Sequence, residues 1–432
     1  MYVHSLSIKN LRSFRAGTVQ LLYPGRKRAK DDLPTPRLKN VNVILGINGS
    51  GKSTILDATA LGLLSPLIAS SGYRPYSLIR RSRRGVLPNA CIDVEVVLGS
   101  EEIKTPLPTV RAHASMRVLV ERRGDVEFVR PFESDSPAFE GLYFDDSPAF
   151  FFVGYGATRR VDIEAGGEAQ SRRKLRHPRY ERVASLFEDH FALTPLSSWL
   201  PDWRHREASR YKEAIVLLGK LLPTGIKFTE KLENGEYLFS FQGNTIPFGA
   251  LSDGYRAYIG WVGDLLQHLC AAAPKALRLT DMKGAVMVDE IDLHIHPEWQ
   301  RTIIPKLARA LRSLQFIFTT HSPLVVGTLE SANILTVERK RGVPVIGRPD
   351  EEVFGLTADQ ILRSDLFGLP STRDASFKRE LDRLATAASQ GDADAAMVFM
   401  RRASRGAGAA LPEGEEQQAP PWLRKMASRS AS

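Results

Sequence analysis

Apolar and polar positions alternate over Val3 to Ile8, which predicts a strand, and Val41 to Leu45 is a second short β-rich run that stops at glycine. Ser53 to Leu64 reads as a helix directly behind those glycines. Ala90 to Val97, Ser115 to Val120 and Val126 to Val129 alternate in the same way and predict a small antiparallel β subdomain. From Gly166 to Lys220 the chain turns polar and helical. Ala285 to Val288 and Phe316 to Phe318 are unbroken apolar runs, the pattern of parallel strands buried on both faces. Strands and helices therefore resume after Phe241, and the core is split in sequence. Helical pieces follow near Thr357 to Phe367 and Phe377 to Ala387, and the end from Ser404, rich in Gly, Ala, Pro, Ser and Glu, reads as disordered. No repeat and no sustained heptad speaks for a long coiled-coil arm.

The expected fold class is α/β, organised as a first lobe over 1–165, a helical basic insertion over 166–240, a second lobe over 241–345, a C-terminal helical region over 346–403 and a tail over 404–432. At 432 residues with 43% hydrophobic and 25% charged positions, the chain can bury a sizeable core.

Charge adds a preference for polyanions: 59 Lys and Arg against 49 Asp and Glu leave +10, which puts nucleic acid ahead of a membrane surface. Arg172, Arg173, Lys174, Arg176, Arg179 and Arg182 form the densest basic stretch. Arg26, Lys27, Arg28 and Lys30 mark a basic loop that suits either a solvated hairpin tip or a DNA contact. Cys91 and Cys270 stand far apart, so neither a disulfide framework nor a zinc site is indicated, and a reducing cytoplasm fits. Met1 to Phe14 lacks the continuous apolar run of a signal peptide. The most apolar stretch, Ile55 to Ser70, is interrupted by Asp57, Thr59 and Ser65, so a soluble protein without a membrane is expected.

Candidate chemistry begins where the second strand meets Gly46-Ile47-Asn48-Gly49-Ser50-Gly51-Lys52-Ser53. Glycines let backbone N–H groups curl around phosphates, and the helix behind them adds its positive N-terminal end. Asn48, Gly49, Ser50 and Gly51 would line the cradle, Lys52 would supply a mobile charge, Ser53 would hold Mg²⁺ through its hydroxyl, and Thr54 would reach the α-phosphate side of ATP. Gly284-Ala285-Val286-Met287-Val288 ends in Asp289 and Glu290, where a metal partner and a residue that orients the attacking water are wanted. Asp292, His294 and His296 alternate as metal ligands do, but Pro297 ends the segment and a role beside the nucleotide is preferred. Phe316-Ile317-Phe318-Thr319-Thr320 would deliver His321 to the same rim.

The order of these motifs, with Leu251-Ser252-Asp253-Gly254-Tyr255-Arg256 ahead of the acidic strand, resembles ABC-class ATPases of the RecF and SMC type. That resemblance implies a homodimer or higher homo-oligomer closing on two ATP, with Ser252, Asp253 and Gly254 reaching the γ-phosphate of the other copy. It makes Asp292 part of the dimer-contacting D-loop and His321 the switch histidine. Ile8-Lys9-Asn10-Leu11-Arg12-Ser13-Phe14 resembles the group's first strand, which implies that Arg12 and Ser13 lie near the nucleotide. A Q-loop glutamine is missing from the expected region; Gly154 to Arg159 stands there, with Arg159 placed either to approach nucleotide or to brace the fold. Asp253, where transporters usually have glycine, argues against a transporter subunit.

Asp289 to Gln300, Thr320-His321-Ser322-Pro323 and Phe354-Gly355-Leu356-Thr357 are similar to the OLD-like AAA ATPases of bacterial anti-phage systems, a set that includes the ATPases of Septu, PARIS and some retrons. The resemblance implies a partner nuclease or toxin as separate effector, with the basic insertion touching DNA or a phage protein. Asp392-Ala393-Asp394, the one late pair resembling a nuclease metal site, falls in a helical stretch and reads as a solvated turn. The leading expectation is an ATP-driven sensor or regulator of phage defence; a RecF-like repair or chromosome-maintenance ATPase and an ATP-assembled scaffold are the alternatives.

Overall fold

The computed structural model describes residues 1–26, 35–71, 73, 75–82, 85–99, 113–133, 151–161 and 177–405. Lys27, Arg28, Lys30, the stretch Arg172, Arg173, Lys174 and Arg176, and the tail beyond residue 405 lie outside them. The chain divides into two compact units, residues 1–361 and 362–432.

The first unit opens with β1 (Tyr2–Lys9) and β2 (Ala16–Gln20), and β3 (Val41–Leu45) then leads through the glycine loop into α1 (Lys52–Ser70). β4 (Asn89–Val97), β5 (His113–Arg123), β6 (Val126–Glu133) and β7 (Phe152–Tyr155) follow. After these come α2 (Pro178–Glu181), α3 (Ala184–Phe187), α4 (Leu196–Arg206) and α5 (Ala208–Leu221). β8 (Ile226–Glu233), β9 (Glu236–Phe241) and β10 (Asn244–Pro247) form a three-stranded meander before α6 (Asp253–Ala272). The remainder is β11 (Gly284–Val288), α7 (Pro297–Gln300), α8 (Ile303–Ala310), β12 (Leu314–Thr320), α9 (Pro323–Val326), β13 (Ile334–Lys340) and β14 (Val343–Gly347).

Two larger sheets define the architecture. One is antiparallel, in the order β2-β1-β4-β5-β6; the other runs β14-β13-β3-β12-β11-β7, parallel except for the β14 edge. The first strand of the chain thus joins the β subdomain. The apolar runs of β3, β11 and β12 are buried at every position, as strands covered on both faces must be.

Helix α1 packs into one hydrophobic core with residues of both sheets, which is why it is apolar nearly all round. It is the one helix among the described residues long and apolar enough to cross a membrane, yet 78% of its apolar window is buried inside the fold. A Cβ on Gly62 would stand 2.2 Å from Val94 Cγ2, so glycine is what lets the helix lie this close to β4. The helix runs past the expected end at Leu64, where its dihedrals leave the helical region ahead of Pro66. Each fully buried leucine or isoleucine here stabilises the fold by about 2 kcal/mol.

Buried amides fix the sheets to each other. Gln315 of β12 accepts from the Val3 amide at 2.8 Å and donates to the carbonyls of Val3 and Leu22 at 2.8 and 2.9 Å. Asn42 of β3 accepts from the Leu22 amide at 2.7 Å and donates to its carbonyl at 2.8 Å. Satisfied on every side, these groups specify one arrangement of the two sheets.

Part of the expected helical insertion is different in kind. Helices occupy Pro178 to Leu221, but residues 226–240 belong to the meander. Two tight turns build it: Asn234-Gly235 and Gln242-Gly243 have positive φ at both positions, +50° and +81°, then +51° and +85°, the geometry of two-residue hairpin loops.

In the second unit α11 (Ala375–Ser389) and α12 (Ala393–Arg405) pack on each other, counting Ala358–Arg363 as α10. Asp374 caps α11 by accepting from the amides of Ser376 and Phe377. Asp392 accepts from the Ala395 amide at 2.9 Å, so the Asp392-Ala393-Asp394 triplet starts a helix.

Candidate nucleotide site

Parallel strands bring the chemistry to one edge. With β3 between β12 and β13, and β11 beside β12, Leu45 pairs with Thr320 and Val288 with Phe318. The glycine loop, the acidic pair and the histidine therefore leave the C-terminal ends of neighbouring strands, where ligands of such sheets bind.

The loop's glycines are dictated by close approach. A Cβ on Gly46 would stand 2.6 Å from the Val337 carbonyl oxygen and 2.7 Å from Ser50 Oγ, and Gly51, at φ +113°, has Phe14 Cε2 at 2.4 Å and Ser13 Oγ at 3.2 Å from its Cβ position. Ser13 and Phe14 thus back the loop. Arg339 of β13 donates to the Gly49 carbonyl at 2.7 Å, a brace that no sequence motif announced. Ser50 Oγ is buried without a hydrogen-bond partner.

Lys52 donates to the carbonyls of Gly46 at 2.9 Å and Ile47 at 3.3 Å, and its Nζ lies 2.6 Å from His321 Nε2. Burial lowers the ammonium's pKa, and Asp289, Glu290 and Asp292 oppose that shift. Burial also lowers the imidazole's pKa, reinforced by Lys52. A neutral His321 with its proton on Nδ1 satisfies this geometry, Nε2 accepting from Lys52.

Asp289 is buried and accepts from Thr319 Oγ1, which in turn accepts from the Glu290 amide at 2.7 Å. Glu290 sits at φ +47°, a left-handed conformation unusual for a non-glycine residue. Buried Arg159 fastens this turn: it donates to the carbonyls of Gly156 at 3.1 Å, Asp289, and Glu290 at 2.9 Å. Of the two roles open to Arg159 in the sequence, its hydrogen bonds are those of a brace. Its pKa is lowered to about 10 by burial, against the pull of Asp289 and Glu290.

Asp292 accepts from Thr320 Oγ1 at 2.5 Å and from the His321 amide at 3.4 Å, fixing the histidine within its own chain. His296 caps α7 by accepting from the Glu298 amide at 3.4 Å. His294, at φ +62°, turns its carbonyl toward Gly254, whose Cβ would lie 2.4 Å from that oxygen. Tyr255 stacks at a tilt on Trp299 with centroids 4.2 Å apart. Ser252 and Asp253 are exposed at the start of α6, with Arg256 paired to Asp253. The 251–256 segment thus packs on the segment after Glu290, while its leading side chains face outward.

Arg12 pairs with Asp57 of α1 at 2.6 Å. Asp57 is buried, and burial raises its pKa to about 6 despite Arg12. The resemblance alone had set Arg12 beside nucleotide; its partner in the structure is this helix carboxylate.

Oxygen donors at the rim suit a hard divalent cation. Ser53 is exposed at the first turn of α1, behind β3, and Asp289 follows β11, on the far side of β12. Among the described residues no group of three His, Cys, Asp or Glu could hold a metal ion by itself. Mg²⁺ characteristically takes one or two protein oxygens together with phosphates and water, and Ser53 and Asp289 offer oxygens of that kind.

Two family descriptions match the chain: "AAA domain" over residues 5–74, and "AAA domain, putative AbiEii toxin, Type IV TA system" over residues 123–327. The "Septu protein PtuA" of Bacillus mycoides (strain KBAB4) is 26% identical over 331 residues, 76% of this chain and 41% of that protein. The "Retron Ec83 probable ATPase" of Escherichia coli is 43% identical over 84 residues, 19% of this chain and 16% of that protein. The chain is thus similar to AAA domains over these two stretches, and to proteins named as a Septu protein and a probable retron ATPase. It spans less than half the length of these relatives. Among solved structures, the "SMC head domain from Thermotoga maritima" aligns at TM-score 0.44 and 15% identity, covering 81% of this chain and 100% of that one.

Proposed function

We propose that this chain is an ATP-hydrolysing regulator of phage defence, that two copies close on two Mg·ATP, and that the closed state controls a separate nuclease or toxin. One observation carries the reading: adjoining parallel strands bring the glycine loop, Asp289, Glu290 and His321 to one edge, where Lys52 Nζ stands 2.6 Å from His321 Nε2 and Asp292 accepts from the His321 amide. Loop amides and the N-terminus of α1 bind the phosphates. Lys52 exchanges the Gly46 and Ile47 carbonyls for phosphate oxygens. Glu290, held by Thr319 and Arg159, orients the attacking water. Neutral His321 stays at the γ-phosphate end, tied down through Asp292. Mg²⁺ held near Ser53 and Asp289 would neutralise charge on the transferring phosphoryl group.

Ser252 supports the paired state, since it is exposed at a helix start and a second copy can present it to the first copy's nucleotide. The defence setting rests on the kinship to the Septu and retron proteins.

Light scattering with and without ATP tests the pairing. The mass of the Glu290→Gln variant is expected to double on adding ATP and to stay single when Lys52→Ala or Ser252→Arg is added. A mass that ignores nucleotide contradicts the proposal.

A further inference from the structure

At the opposite end of the core sheet from the glycine loop lies a groove of about 700 Å³ between α5 and α8. Arg278 precedes β11, and Arg309 and Arg312 precede β12, so the groove sits where these strands begin, on the order of 20 Å from where they deliver Asp289 and His321. Lys212, Val216 and Lys220 are four residues apart on α5 and share one helix face; Lys306, Arg309 and Arg312 advance in steps of three along the other wall.

The described residues lining this groove include six cations and a single acid, Glu213. That carboxylate is already engaged, accepting from Arg210 at 3.2 Å and from the Leu279 amide at 3.2 Å. Lys306 is partly committed to the Leu222 carbonyl at 3.2 Å, and Arg312 meets Asp281 only at 3.7 Å with three quarters of its side chain exposed. Lys212, Lys220, Arg278, Arg309 and Arg312 are all exposed. The positive surface continues past Arg309, which also borders a second groove of about 640 Å³ with Arg37 and Arg301.

We infer that this groove binds the phosphate backbone of a nucleic acid, independent of base sequence. Charge in two facing rows matches a line of phosphates. None of the first groove's described lining residues is aromatic, so it offers no ring for base stacking, and backbone contact is what remains. An acidic amphipathic helix would need a floor of large apolar side chains, but Leu217 and Leu279 are 2% and 1% exposed and Val216 is the one large apolar side chain exposed among the described lining residues. Nucleic acid is favoured over an acidic protein segment on that ground. None of the described residues lining the groove belongs to the basic stretch Arg172 to Arg176 read in the sequence, and the inference stands whether or not the nucleotide site regulates an effector.

The full chain is titrated against a fluorescent duplex of about 30 base pairs at about 50 to 300 mM salt, beside a triple variant carrying Lys212→Gln, Arg309→Gln and Arg312→Gln. Every phosphate left without its cation takes about 0.9 from the slope of log affinity against log salt, so the variant's slope is expected to fall by about 3 and its affinity by tenfold or more. ATP turnover and thermal midpoint should match the parent. Arg309→Lys with Arg312→Lys, which keep the charge, should restore the slope. An unchanged slope in the triple variant overturns the inference and leaves duplex binding to other residues. Equal retention of polyglutamate or of phosphatidylserine vesicles by the parent overturns it in favour of an acidic protein or a lipid surface.

Discussion

Lys52 Nζ and His321 Nε2 stand 2.6 Å apart, joining the glycine loop to the end of β12. A neutral imidazole accepting at Nε2 from a charged Lys52 fits this contact. It follows that the histidine's pKa, already lowered from 6.5 first by burial and then by Lys52, rises when the ammonium is removed. NMR titration of labelled histidine should show this upward shift in Lys52→Met; an unmoved resonance contradicts it.

Stability carries the same signature. Between His321's lowered value and 6.5 the unfolded chain binds more protons at this position than the folded one, so stability falls as pH drops through that window. Urea unfolding at pH 7.5 and at pH 6 should reveal a smaller loss in His321→Gln than in the parent. The comparison is between variants because Asp57, raised to about 6 by burial, pulls the other way: over roughly pH 4 to 6 its folded form binds more protons and gains stability as pH falls.

Arg159 holds the backbone from which Glu290 projects. Replacing it with Met leaves the Gly156, Asp289 and Glu290 carbonyls without their donor, at about 1 to 3 kcal/mol for each that stays dry. Arg159→Met should lower the thermal midpoint and reduce kcat more than KM, since the turn at φ +47° loses its clamp. Arg159→Lys should recover only part, because a single ammonium cannot reproduce the planar fork. Wild-type kcat in Arg159→Met would remove the bracing role.

Much of this site was legible because its residues are contiguous. Gly46 to Ser53, Asp289-Glu290 and Thr320-His321 each occupy a strand end, and an apolar run followed by polar residues is visible in one dimension. Arg159, Arg339 and Asp57 were harder to read: their partners are 130, 290 and 45 positions away, where only the folded sheet order brings them together. The resemblance placed Arg12 near nucleotide, yet it could not supply Asp57, a carboxylate inside an apolar helix. The β8–β10 meander was missed for another reason. Its first strand is mostly exposed and charged, so the inside-outside alternation is weak; the Asn234-Gly235 pair was the signal available.

Gly254 is a point of close approach between the Leu251–Arg256 segment and the loop after Glu290. A methyl group there would meet the His294 carbonyl at 2.4 Å, and backbone cannot swing aside as a flexible side chain does. Gly254→Ala should cost about 1 to 3 kcal/mol as an overpacked contact and displace the start of α6. Turnover is expected to fall while a fluorescent ATP analogue binds as it does to the parent. Equal loss of binding and turnover would place Gly254 in the phosphate cradle.

The most direct test of the account is single-turnover hydrolysis by Glu290→Gln. Glutamine keeps the shape and the backbone bonds to Thr319 and Arg159 but cannot polarise water as a carboxylate does. The account predicts ATP bound as tightly as by the parent and hydrolysed about 10² to 10⁴ times more slowly. Turnover at the parental rate would contradict it.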